Sequence, residues 1–283
     1  MWPYLIEHPF RVGSYGVMLL VAFLAGGWLA GREWRRRGLP GGPEQAWTLV
    51  GVAAAGGLLG AKLAYLWTEA PAWTWPDLFS GSGLTWHGGL ILGGLAVLVV
   101  TRLWGIPAST VGDLFAPMLA LGYGIGRIGC HLAGDGDYGI PCSPGWWRDH
   151  VCMTYPAGIV PSPCQVGDRI LDVCPVTPLP VTFLPVHPTP LYEALGALAV
   201  FGVLWGLRRR MERHPWALFA LWLLLAGGAR LLVEFIRLPE GRPTRFWGLR
   251  DAQWVAVAMM LGGLVLALQA WRPRDETRPP GST

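Results

Sequence analysis

Apolar runs close to the thickness of a lipid bilayer recur along this chain, and no other feature restricts its fold as strongly. A hydrocarbon core about 30 Å thick calls for about 20 predominantly apolar residues in a helix, since backbone amides find no water there. Runs near that length occupy positions 15–31, 47–67, 90–104, 111–126, 190–207, 216–236 and 254–271, the third being short unless it starts near Trp86. Charged residues make up 14% of the chain, well below the share usual in soluble proteins. The 17 tryptophans and 40 glycines agree with membrane spans, in which glycine and interfacial aromatics are enriched. These features predict an all-α integral membrane protein of about seven transmembrane helices. Neither a basic stretch nor a small-residue cleavage site precedes the first run, so it reads as a span and not as a signal peptide.

The arginines orient these spans. With the N-terminus outside and the C-terminus inside, the inner segments carry twelve arginines, including the clusters REWRRRG and LRRRMER, and the outer segments seven. Basic residues beside span ends favour the cytoplasmic side. Four cysteines, Cys142, Cys152, Cys164 and Cys174, fall in one Pro-rich connection that this orientation places outside, where disulfides persist. Two bridges are expected, with three possible pairings. Zinc is the rival reading, but CxxC and HxxxH spacings are missing, so no metal is expected. The predicted organisation is helices 1–4 with interfacial segments over 1–127, a small outward-facing Pro/Cys-rich head over 128–189, helices 5–7 over 190–271 and a cytoplasmic tail over 272–283. The formal charge of +4 lacks the interleaved basic and aromatic pattern of a nucleic-acid surface.

Ionisable groups inside spans are costly and mark sites. Lys62, Arg127, Glu193, Arg230 and Glu234 qualify. In GGARLLVEFIR the spacing of Arg230, Glu234 and Arg237 is i, i+4, i+7, which sets all three on one helical face. The plain reading is a buried ion pair that fixes packing. The functional reading is an anion site completed by Arg127, two guanidiniums suiting a phosphate ester through their fork geometry. Arg127 lies in LGYGIGRIGCHLAGDGDYG, followed by Asp135 and Asp137. The glycines there either bring backbone amides to a ligand or permit tight helix packing. His87, in GLTWHGG where the chain re-enters the membrane, is a structural histidine or a base. His187 opens HPTPLYE, and Tyr192 and Glu193 fall one turn inside the following span. Tyr15 and Tyr65 are belt aromatics first and substrate contacts second.

Taken in order, SYGVML (14–19), LGAKLAY (59–65), HGGLILGG (87–94), DLFAP (113–117), GRIG (126–129), HPTPLYE (187–193) and GGARLLVEFIR (227–237) resemble the prolipoprotein diacylglyceryl transferase family. The resemblance implies seven membrane helices with an outward-facing head in the bacterial inner membrane. It also implies transfer of diacylglyceryl from phosphatidylglycerol to a lipobox cysteine thiol, with glycerol phosphate leaving and a thioether forming, and no cofactor. By resemblance, Arg127 and Arg230 hold the headgroup and leaving group, and His87 or a carboxylate assists the thiol. Tyr15, Glu193, Glu234 and Arg237 shape the site, with Lys62, Tyr65, Asp135, Asp137, Gly139 and Tyr192 as further substrate contacts.

Three departures stand out. Cys130 follows GRIG, where the family motif has Asn. GDGDYG stands where Gly-Glu-aromatic-Gly is usual, so either Asp135 or Asp137 replaces the Glu, with Gly139 as the closing glycine. Lys62 replaces an Arg, keeping the charge but losing the fork. Cys130, beside Arg127, is a nucleophile or a small packing residue. The departures leave a paralogous transferase with another acceptor, or a non-catalytic lipid-binding or transport protein, as alternatives.

Overall fold

The computed structural model describes residues 1–6, 8, 11–68, 74–78, 85–166, 169–171, 174, 181–238 and 245–272. A short antiparallel pair, β1 (Tyr4–Ile6) and β2 (Val12–Gly13), precedes α1 (Ser14–Arg36). Then come α2 (Glu44–Thr68), the single turn α3 (Trp75–Leu78), α4 (Trp86–Leu103) and α5 (Ala108–Ala133). The next connection holds α6 (Trp146–His150), β3 (Cys164–Val166), β4 (Arg169–Leu171) and β5 (Thr182–Phe183), the strands ordered β4-β3-β5. Beyond it lie α7 (Thr189–Met211), α8 (Ala217–Glu234), the hairpin β6 (Arg245–Phe246) and β7 (Leu249–Arg250), and α9 (Asp251–Ala270). Each apolar run of the sequence overlaps one long helix.

Among the described residues, five helices, α1, α2, α7, α8 and α9, are long and apolar enough to cross a bilayer. Much of their apolar surface stays exposed, as at Leu195, Leu232 and Leu261, the pattern of a chain whose solvent is lipid. The protein is a mostly helical, multi-pass membrane protein. The apolar part of α4, Gly88–Leu103, is shorter. α5 has 26 residues, but Asp113 and Arg127 interrupt its apolar character, and Pro117 sits inside it.

The chain divides into two compact units, one of Met1–Ala22 with Leu119–Thr283 and one of Phe23–Met118. In the second unit α2 and α4 meet backbone to backbone. A Cβ added at Gly60 would strike the Gly88 carbonyl, and one at Gly93 would lie 3.0 Å from the Ala53 carbonyl. Small residues four apart permit this approach. In the first unit α8 and α9 use the same device, since a Cβ at Gly227 or Gly263 would sit 2.9 Å from the carbonyl of Ala256 or Ala220.

The α5–α7 connection carries its own small core of Tyr138, Tyr155 and Val186. The two tyrosine rings stack at 3.9 Å, and the Tyr138 hydroxyl donates to the Val160 carbonyl at 2.7 Å. Burial pushes both phenols above their ordinary pKa. Disulfides join Cys142 to Cys152 and Cys164 to Cys174. This selects one of the three pairings left open by the sequence, the one that closes two short local loops.

Candidate active site

Close helix packing sets up the site. On α5, a Cβ at Gly124 would lie 3.3 Å from the Ala194 carbonyl of α7, and one at Gly129 would be 3.0 Å from Met18 Cβ of α1. Gly124 and Gly129 therefore serve packing, whereas Gly122 and Gly126 face open space. Residues 121–133 form continuous helix, so their amides bond within it and are not turned toward a ligand. The close approach brings Arg127 and Tyr123, one turn apart on α5, against Glu193 in the second turn of α7.

Glu193, buried to 3% side-chain exposure, is the hub. It pairs with Arg127 and accepts from Arg230 at 2.7 Å and from the Tyr123 hydroxyl at 2.7 Å. Arg237 lies 3.8 Å from its other oxygen. Arg230 also faces Glu234 at 2.9 Å, but Glu234 Oε2 has no aligned hydrogen bond among the described residues. Asp137 pairs with both Arg127 and Arg237, and its carbonyl accepts from the Thr189 hydroxyl at 2.5 Å. Arg250 closes the far side, its Nη1 donating to the Glu234 side chain at 3.3 Å and to the carbonyls of Glu234 at 3.1 Å and Arg237 at 3.0 Å. Four guanidiniums thus interlock with three carboxylates.

The sequence-derived expectations meet this geometry unevenly. Arg127, Glu193, Arg230 and Glu234 converge, from three helices. Arg237 joins them as well. α8 ends at Glu234, and Arg237 stands just beyond it, its N–H donating to the Val233 carbonyl at 3.1 Å and its backbone bridged to Gly139. Gly139 is sterically required there, since a Cβ would collide with His187 Cβ and the Ile236 carbonyl. Its N–H donates to the His187 carbonyl at 2.8 Å. Asp135 and Asp137 differ in what they touch. Asp137 takes the arginines, while Asp135 Oδ1 accepts from the Asp137 N–H at 3.3 Å and groups with Cys130 and Asp137, their polar atoms within 4.8 Å of one another.

Cys130 is a free, buried thiol that accepts from Arg127 Nη1 at 3.4 Å. Tyr15 packs over Gly129, its Cδ2 3.3 Å from where an added Cβ would stand. Tyr192 reaches back to His187 Nδ1 at 3.2 Å. Lys62 and Tyr65 belong to α2 of the other unit, where the buried Lys62 ammonium lies 5.6 Å from the Tyr65 ring centroid. His87 is in the first turn of α4, but its side chain lies outside the described residues.

Two participants escape the sequence reading. Tyr123 had a usable signal, four residues before Arg127 on one helical face. Arg250 had none, since it stands among outer-segment cations and meets Glu234 only through the fold.

A cluster of this kind has the chemistry to receive an anion. Its carboxylates are engaged by arginines, and the buried Arg127 Nε has no hydrogen-bond partner among the described residues. Arg230 is the most open of the four, at 24% side-chain exposure.

The model of a family described as prolipoprotein diacylglyceryl transferase matches residues 3–269. The chain belongs to that family. Similar relatives named phosphatidylglycerol–prolipoprotein diacylglyceryl transferase include one from Bordetella avium, 31% identical over 91% of this chain and 90% of the relative. One from Azotobacter vinelandii is also 31% identical, over 95% and 93%. One from Escherichia coli is 28% identical, over 93% and 91%. Membership spans both units, as did the ordered motifs from SYGVML to GGARLLVEFIR.

Proposed function

We propose that this protein transfers the diacylglyceryl group of phosphatidylglycerol to the cysteine thiol of a prolipoprotein lipobox; its relatives are named phosphatidylglycerol–prolipoprotein diacylglyceryl transferases. The observation that carries this reading is the buried arginine–carboxylate cluster at the α5–α7–α8 contact. Four arginines in an apolar helical protein, one with an unused donor and one partly open, suit a lipid phosphate.

In this reading Arg127 and Arg230 exchange part of their carboxylate pairing for the phosphate oxygens of the headgroup. The thiol loses its proton to a base and its sulfur attacks the glycerol carbon of the diacylglyceryl group. The S–C bond forms as the C–O bond to phosphate breaks, and glycerol phosphate departs with its new charge held by the guanidiniums. Tyr123 and Glu193 orient Arg127. Glu234 and Arg237, with Asp137, hold the rest of the ring in place. His87 is the base offered by sequence and Asp135 the one offered by its place beside Cys130.

We further take all seven long helices as spans, with the N-terminus outside and the C-terminus inside. Residues 128–189 then form a periplasmic head, 1–127 and 190–271 the helical parts and 272–283 a cytoplasmic tail, in the bacterial inner membrane. The arginine asymmetry supports this orientation. So do the two disulfides within the head segment, a chemistry of oxidising compartments.

The test is a transfer assay with purified protein, labelled phosphatidylglycerol and a lipobox peptide. Label should reach the peptide cysteine and fall at least about 100-fold with Arg127→Ala, as for removal of a transition-state donor. Loss with His87→Ala but not Asp135→Asn assigns the base to His87, and the reverse to Asp135. A folded protein that binds phosphatidylglycerol but transfers nothing to the peptide would refute the lipobox acceptor. Cys130 at the family's Asn position favours, as second reading, the same donor chemistry with another acceptor.

A further inference from the structure

The α5–α7 connection carries an exposed aromatic cluster that takes no part in the arginine–carboxylate network. The Cys142–Cys152 disulfide closes a loop that contains α6, the segment WWRDH. Trp146 and Trp147 are 62% and 57% exposed, although tryptophan is among the costliest side chains to leave in water. They are held in a defined arrangement. Trp147 packs edge-on against Trp146, with centroids 5.3 Å apart, and His150 stacks on Trp146 at 5.0 Å.

The loop is tied to the start of a membrane span. The Cys142 N–H donates to the Pro185 carbonyl at 2.9 Å, and Met153 and Val186 exchange backbone hydrogen bonds at 3.0 and 2.9 Å. Val186 is three residues before Thr189, the first residue of α7, a chain length that reaches about 10 Å at most. The 23 residues of α7 span about 34 Å at the helical rise, against a hydrocarbon core of about 30 Å. The first turn of α7 therefore sits at the edge of the hydrocarbon, and the loop is anchored within reach of the headgroup layer. That layer is where tryptophan is stable, its ring apolar and its N–H wet.

We propose that the disulfide-closed loop is an interfacial anchor whose Trp146 and Trp147 insert at the headgroup–acyl boundary of the bilayer that holds α7. Arg148 and Asp149 offset each other in charge, so the rings, and not anionic lipid, hold the loop down. The disulfide and the Val186 pairing keep both ends of the loop on the span, so the tryptophans meet the interface with little freedom left to lose on insertion.

The test is hydroxyl-radical footprinting of the unmodified protein in nanodiscs of phosphatidylcholine, and in parallel of phosphatidylethanolamine and phosphatidylglycerol at about 3:1. Oxidation of Trp146 and Trp147 is compared with Ile170, 63% exposed on β4, after correction for intrinsic reactivity. Protection of both tryptophans by at least about fivefold in both lipids is expected. Oxidation at the rate that their exposure dictates would overturn the proposal. So would protection confined to the anionic discs, which would make headgroup charge the binding force. Protection that arises only on adding a lipobox peptide would assign the surface to the peptide and overturn it too.

Discussion

Two helix contacts in this protein differ in what they add to close packing, one relying on small residues alone and the other combining Gly124 with buried charge. Between α2 and α4 the chain removes side chains, with Gly60 against Gly88 and Gly93 against Ala53, and the helices touch through main-chain atoms. At the α5–α7–α8 contact the chain inserts its largest charged side chains and pairs them. The first contact needs nothing from its surroundings, because van der Waals packing suffices in lipid. The second is a net gain only if every charge finds a partner, since lone buried charges are costly. A glycine contact has no chemistry to offer. A cluster of arginines held open by carboxylates can release a guanidinium to a ligand and regain it afterwards.

The comparison is most exposed at Glu193. Glu193→Gln keeps the size and removes the charge shared by Arg127 and Arg230. Breaking a buried pair on one side costs about 3–5 kcal/mol, so thermal unfolding in detergent should shift strongly downward and transfer should be lost. An unchanged melting profile would show that the cluster does not hold the helices, and that the α5–α7 contact rests on Gly124 alone.

The glycine contact breaks with a smaller effect and with a built-in control. Gly60→Ala places a methyl against the Gly88 carbonyl and Leu92 Cβ, and the backbone must move. Overpacking of this kind costs about 1–3 kcal/mol. Gly51, also on α2, has open space where a Cβ would go. Gly51→Ala should be neutral or stabilising by up to about 1 kcal/mol, as helix propensity favours alanine. Opposite signs for these two substitutions on one helix, read by denaturation in the same detergent, are what the contact geometry demands. Equal effects would mean that propensity governs and that the close approach is incidental.

How far the sequence anticipated each region follows from how local its physics is. Hydropathy located the helices, because burial in lipid acts on every residue of a run. The cost of intramembrane charge singled out Arg127, Glu193, Arg230 and Glu234, and these four converge. It also singled out Lys62, which pairs with Tyr65 in the other unit. The disulfide pairing was beyond the sequence, because four cysteines carry no label for their partners. The choice of Asp137 over Asp135 depends on a turn at Gly136, φ +100°, which sends the second carboxylate toward Arg127 and Arg237. Arg237 was expected on the α8 face; it stands just beyond the helix end, held both by the Val233 carbonyl and by its bridge to Gly139.

Arg250 gives the sharpest separation of the two modes, with the smallest effect. It precedes α9, and its backbone N–H donates to Gln253 Oε1 at 2.9 Å, so its position is fixed by a helix start that needs no arginine side chain. The guanidinium reaches Glu234 and two carbonyls while 19% exposed, where solvent screening weakens the ion pair. Arg250→Gln should therefore cost only about 1 kcal/mol in stability. Glu234, released on that side, would keep Arg230 as its remaining partner and draw it away from Glu193. A fall of several-fold in transfer, with a nearly unchanged melting profile, would show that the cluster is tuned for function beyond what packing requires. A fall in both together would reduce Arg250 to a packing element, and the charged contact would then differ from the glycine contact in material but not in purpose.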